Sequence, residues 1–305
     1  MIAAVLGLVF TASCNQNGSV TQDTVSVTDA LGREVAVPKN PKRVASLLGS
    51  FSDIWLLAGG ELCASAEDAW DDFGLDLADA VNIGGAHSPS LEMLISADPD
   101  LVLASASTAA DVEMREPLEN MGIAVLYFDV DNFYDYLRML EICTDITGRK
   151  DLYEQNGTAI ADKITATKEK YAASEIPDEE RRILLLRASS GKVKAKGSSG
   201  TVLGEMLKDI GCVNIADSEK SLLDTLSAES VIMNDPYHVF VVTMGNDTDA
   251  AKKAVSDMLA SDPAWNTLSA VKENRMHFMD RKLFNLKPNA RWAEAYGVLY
   301  ETLTK

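Results

Sequence analysis

Six basic residues and no acidic one lie between Arg181 and Lys196, namely Arg181, Arg182, Arg187, Lys192, Lys194 and Lys196. Such a segment suits an anion, because a guanidinium can grip a carboxylate through two parallel hydrogen bonds and an ammonium acts as a compact point charge. The three lysines also alternate with Val193 and Ala195, as the solvent face of a strand would, so both uses stay open. A second cationic stretch, Lys287-Pro288-Asn289-Ala290-Arg291-Trp292, sets donors on both sides of a proline. There Arg291 either binds an anion or ties the last helix to an acidic neighbour. The early chain has the opposite bias, with Glu67, Asp68, Asp71 and Asp72 around Trp70, a run that reads as a solvated loop.

Nothing comparable points to catalysis. GxGxxG, GxxxxGKS/T and GxSxG patterns are missing, and no nucleophile and base stand at a recognised spacing. The three histidines, His87, His238 and His277, form no HxxxH pair and no CxxC occurs, so no metal site built from side chains is expected. The expectation is a binding protein with no catalytic residue and no cofactor of its own.

One pattern occurs twice, 137 positions apart: Ser90-Leu91-Glu92 leading to Asp98-Pro99, and Ser227-Ala228-Glu229 leading to Asp235-Pro236. In each copy Glu opens a short apolar run, Asp-Pro follows six residues later, and an apolar strand-like segment comes next. A Glu in the first turn is favoured by the helix macrodipole and a Pro marks the exit. Helix stability accounts for each Glu singly but not for equal spacing in two halves, which implies two similar lobes.

The elements that must carry these residues alternate. In the first half, short apolar strands at Arg43–Leu48, Leu62–Ala66, Asp100–Ser105 and Ala124–Phe128 are separated by helical stretches, after a hairpin around Leu31-Gly32-Arg33. The second half repeats the scheme with Arg182–Arg187, Cys212–Ile215, Val239–Met244 and Met276–Asp280. This is the signature of parallel sheets in an α/β protein, and the fold class expected is two Rossmann-like lobes joined by one long helix, with a ligand cleft between them. Ile160, Ile164, Thr167 and Tyr171 share a helical face in that joining segment. The expected division is a signal and tether over 1–24, a first lobe over 25–150, a connecting helix over 151–176 and a second lobe over 177–305.

Ligands of open α/β sheets bind beyond the carboxyl ends of the strands. The loops there hold Ser50, Phe51, Trp70, His87 and Ser105 in the first half, and Arg187, Lys196, Met244, Lys287, Asn289 and Arg291 in the second. Aromatic Phe51 and Trp70 suit a flat or greasy chelate, whereas Trp55 reads as core.

Composition narrows the partners. A net charge of -18 repels phosphate backbones, which excludes nucleic acid, and leaves a lipid anchor as the membrane attachment compatible with this balance. Met1 to Ser13 is uncharged and ends in Thr11-Ala12-Ser13 before Cys14, as a lipoprotein signal does, although no Lys or Arg follows Met1 and Thr11 stands where Leu is usual. Cys63, Cys143 and Cys212 remain, most simply as free thiols.

From Val25 onward the chain resembles the bacterial solute-binding lipoproteins that hand ferric siderophores, haem or vitamin B12 to an ABC importer. The likeness rests on Asp29-Ala30-Leu31-Gly32-Arg33, Pro41-Lys42-Arg43-Val44-Ala45-Ser46, the two Glu-to-Pro repeats and Pro263-Ala264-Trp265-Asn266-Thr267-Leu268. The resemblance implies a monomer, lipid-anchored through Cys14 on the cell membrane and facing the periplasm or cell exterior. It also implies docking on a permease dimer with its ATPase through Glu92 and Glu229, and a metal chelate as the bound small molecule. The basic second half favours an anionic ferric chelate; haem or a corrinoid is the alternative, and an enzyme or an importer-independent haem scavenger stands behind both.

Overall fold

The computed structural model describes residues 24–245 and 247–305, so the signal, the tether and Cys14 lie outside the described residues. Twelve strands are described: β1 Thr24–Thr28, β2 Glu34–Pro38, β3 Val44–Ser46, β4 Leu62–Ser65, β5 Val81–Asn82, β6 Leu101–Ser105, β7 Ala124–Phe128, β8 Arg182–Ser189, β9 Lys192–Lys196, β10 Val213–Asn214, β11 His238–Thr243 and β12 Met276–Met279. They build a β1–β2 hairpin and two five-stranded sheets. The first sheet is parallel throughout, in the order β5-β4-β3-β6-β7. Its central strands read as unbroken apolar runs because helices cover both faces; every residue of β6 is buried.

The second sheet runs β10-β8-β11-β12 in parallel, with β9 added antiparallel to β8. The expected strand at Arg182 therefore continues to Ser189 and turns back on itself. That register pairs Arg187 with Lys194 and Leu185 with Lys196, and directly opposed residues share a face. Leu185 packs into the core that faces the first lobe, whereas Leu184, Leu186 and Ala195 pack on the other side. Arg187, Lys194 and Lys196 accordingly line the face turned towards the first lobe.

The joining helix starts at Lys150, passes through a π-helical turn at Glu154–Thr158 and runs on to Ala172. Ile160, Ile164 and Tyr171 are buried, as their spacing requires. The π turn was not legible from the periodicity. It buries Asn156 and Gly157 and lets Asn156 Nδ2 donate to the Leu57 carbonyl at 2.8 Å while its own carbonyl accepts from Tyr136 Oη at 2.8 Å. One apolar core runs through both lobes, including Phe51, Leu103 and Phe133 from the first, Ile164 of the connecting helix, and Leu185, Phe240 and Trp292 from the second. A close-packed core shared by both lobes resists their separation.

Candidate ligand cleft

The carboxyl ends of the two sheets meet. Loops that follow β3, β4 and β7 supply Ser50, Asp72, Asp129 and Asp131; loops and strand ends of the second sheet supply Arg187, Arg281, Lys287 and Asn289. They touch across the divide. Asn289 Nδ2 donates to the Ser50 carbonyl at 2.9 Å and to Asp53 Oδ2 at 2.8 Å, and the Arg281 guanidinium pairs with Asp72. Asp131 stands close enough to hold up the basicity of both Arg187 and Lys287.

Cations dominate the second-lobe side. Burial lowers the pKa of Arg187, and its Nε is buried without a hydrogen-bond partner. Lys196 is shifted the same way, first by burial and then by its neighbours Arg187 and Lys194. Lys287 is lowered by burial against the pull of Asp131, Asp129 and Asp68, and its Nζ lies 6.0 Å from the centre of the Phe51 ring. Among the described residues, none of the three makes a side-chain hydrogen bond or ion pair. Half-buried cations without a bound carboxylate, two of which also repel each other, form a site in which an anion relieves the penalty of burial.

The expected ligand residues differ in exposure. Phe51 is buried in the helix Gly49–Leu57, edge-on to Phe128 at 6.0 Å between centroids, and its ring is part of the apolar core. Ser50 and Ser105 are buried too, the latter with its Oγ on Ser107 Oγ at 3.0 Å. Asn289 is fully buried and fastens one lobe to the other. All four residues are buried in this structure and hold the protein contacts named above. Arg291 is exposed and makes two hydrogen bonds to Glu294 in the first turn of the helix it precedes, a pair local to that helix. Trp70 is half-buried and His87 and Met244 are exposed, so all three keep surface towards solvent.

The acidic run around Trp70 is not the solvated loop its composition suggested. Asp68 accepts a hydrogen bond from the Gly49 amide at 2.9 Å, and burial raises its pKa; Asp72 holds Arg281. Gly49 has no room for a side chain, since a Cβ there would stand 2.5 Å from the Ala69 backbone nitrogen. That close approach is what brings the Trp70 helix against the start of the Gly49–Leu57 helix.

The repeated motif adopts one geometry twice. Ser90 and Ser227 are the N-caps, each accepting at 3.3 Å from the amide three residues on. Asp98 and Asp235 both take positive φ, at 49° and 35°. Arg43 Nε donates to the Ala97 carbonyl and Arg182 Nη2 to the Asn234 carbonyl, both at 3.0 Å, while the Arg43 and Arg182 carbonyls accept from Asp100 and Tyr237 amides at 2.8 and 2.9 Å. Capping falls to the serines, so Glu92 and Glu229 are left exposed, without a side-chain hydrogen bond or ion pair. Their helices return antiparallel to the strands, which turns both N-termini towards the cleft side of the sheets. The two arginines that lock the motif were missed by sequence reasoning; the signal was an Arg at the entry to a central sheet strand of each half, Arg43 just before β3 and Arg182 opening β8.

The pattern known as "Periplasmic binding protein" matches residues 44–283, most of both lobes. This chain belongs to the periplasmic binding protein family. It is 24% identical over 292 residues to the uncharacterized ABC transporter substrate-binding lipoprotein YvrC of Bacillus subtilis, across 92% of this chain and 89% of that one. The Fe(3+)-citrate-binding protein YfmC of Bacillus subtilis is 25% identical over 303 residues, across 92% and 87%. Among solved structures, Staphylococcus aureus SirA complexed with staphyloferrin B aligns with a TM-score of 0.72 at 22% identity, across 92% of this family member and 99% of SirA. Two lobes of α/β sheet are thus the fold of its relatives as well.

Proposed function

We propose that this periplasmic binding protein captures an anionic ferric chelate of the carboxylate type outside the cytoplasmic membrane and delivers it to the permease of an ABC importer. The observation that carries the reading is the trio Arg187, Lys196 and Lys287, half-buried cations with no ion-pair partner on the cleft side of the second sheet. A carboxylate on Arg187 would satisfy its orphaned Nε, and Trp70 offers a half-buried aromatic edge on the opposite wall. The Fe(3+)-citrate-binding name of one relative supports this choice of cargo. Glu92 and Glu229 present the carboxylates that would meet permease arginines, and Cys14 would carry the lipid that keeps the protein at the membrane face. Capture needs no chemistry, so the cargo leaves unaltered.

The test is equilibrium binding to the purified chain, followed by quenching of tryptophan fluorescence, with ferric citrate, a second carboxylate siderophore, haem and cobalamin offered in turn. Ferric carboxylates should bind, and Arg187→Gln should weaken them by roughly ten- to a hundredfold, as loss of one charge-assisted contact of about 1.5–3 kcal/mol would. A haem or cobalamin absorption band without ferric-carboxylate binding would overturn the cargo assignment.

A further inference from the structure

Arg281 follows β12 directly and Asp72 closes the short helix Asp68–Asp71 of the opposite lobe. Arg281 Nη1 donates to Asp72 Oδ1 at 2.6 Å and Nη2 to Asp72 Oδ2 at 3.0 Å, a two-pronged pair between residues 209 positions apart. The side chains are 17% and 18% exposed, largely out of water yet reachable from it. They border a cavity of about 620 Å³ that Thr243, Thr248 and Lys252 also line, beside the loop that carries Met244.

Among the cleft cations Arg281 is the odd one, since Arg187, Lys196 and Lys287 have no carboxylate bound among the described residues, whereas both Arg281 Nη atoms hold a carboxylate from across the divide and its buried Nε alone lacks a partner. Among the described residues, the shared apolar core and the Asn289 bonds also join the lobes, and both are closed to solvent. Exchange of one carboxylate for another on the same guanidinium keeps the two hydrogen bonds and the charge, so it costs little. Opening by unassisted rupture would instead leave a half-buried cation unpaired.

We infer that the Asp72–Arg281 pair is an interlobe latch, opened when an anionic cargo takes the Arg281 fork for its own carboxylate. The inference deepens the iron-chelate reading and rests on the cargo being an anion. Asp72 thereby acts as a competitor for the cargo, and once released it adds to the negative field of Glu67, Asp68 and Asp71, so only a cargo with enough carboxylate to hold Arg281 stays bound.

Hydrogen–deuterium exchange of the ligand-free protein reads the latch without any cargo. Asp72→Asn and Arg281→Gln should each speed exchange in segments 66–74 and 280–289 by roughly three- to tenfold, and the swapped pair Asp72→Arg with Arg281→Asp should restore protection. Unchanged exchange in both single variants would overturn the latch whatever the cargo. Titration with ferric citrate reads the competition: Asp72→Asn should tighten binding about threefold and Arg281→Gln should weaken it about tenfold. Weakening by both variants would overturn the exchange of partners. A wild type that ignores both ferric citrate and the second carboxylate siderophore, while the variants' deuterium exchange behaves as expected, upholds the interlobe pair and overturns the iron-chelate reading instead.

Discussion

Asp111 carries a charge problem whose sign and size follow from its surroundings. It sits fully buried beside the end of β6, where Oδ2 accepts from the Ser105 amide at 2.8 Å and Oδ1 has no partner. Burial pushes its pKa up from 3.8 to about 7, the Ser105 amide pulls the other way, and Asp68 adds to the rise. Because the folded pKa lies above the unfolded one, the native state holds the proton more tightly. The associated stability is complete below the unfolded value of 3.8 and is lost as pH rises towards about 7. A gap of about three pKa units corresponds to about 4 kcal/mol. Asp111→Asn removes that loss and keeps an oxygen for the Ser105 amide, but sets an amide N–H where Oδ1 lacks a partner, at a cost of about 1–3 kcal/mol. The net expectation is stabilisation by about 1–3 kcal/mol near pH 8 and slight destabilisation near pH 4.5. Urea denaturation of the wild type and the variant at both pH values measures it, through the shift in midpoint at constant slope. A variant whose difference from wild type is the same at both pH values would refute the reasoning, because it would mean that Asp111 ionises in the fold as easily as in the unfolded chain.

The buried histidine pair should give the opposite slope: burial, His277 and Arg275 lower the pKa of His238 to about 4, so stability is full above about 6.5 and falls by about 3 kcal/mol as pH drops towards 4. Its ring faces His277 at 3.0 Å, and His238→Phe should remove most of that acid-side loss in the same urea assay. Asn289→Ala should destabilise the protein by about 2–4 kcal/mol in thermal unfolding, because it strands the Asp53 carboxylate, already raised in pKa by burial, and puts an alanine at φ 50°. Glu92→Ala with Glu229→Ala should leave ferric-chelate affinity within about twofold of wild type while abolishing uptake of labelled iron in cells, since among the described residues neither carboxylate pairs with a cleft cation; retained uptake would sink the docking role.

The division between what was legible in the chain and what was not has a physical basis. Apolar runs, proline exits, serine caps and the repeated Glu-to-Pro spacing act over a few residues, so the sequence itself determined two α/β lobes, the helix between them and the two exposed glutamates. It also marked Arg187, Lys196 and Lys287 as cations near strand ends. What it could not determine was which side chains face the cleft. Phe51 and Trp70 look alike as aromatics near strand ends and both lie in helices, yet packing buries the first in the core and leaves the second half-exposed. Asp72 looked like part of a solvated acidic run until Arg281, brought near by folding from the far end of the chain, took its charge. The local pattern fixes what each segment is, because its causes are short-ranged; only the tertiary structure decides which charges are paired and which are left for a ligand, because burial and pairing are set by residues a hundred or more positions away.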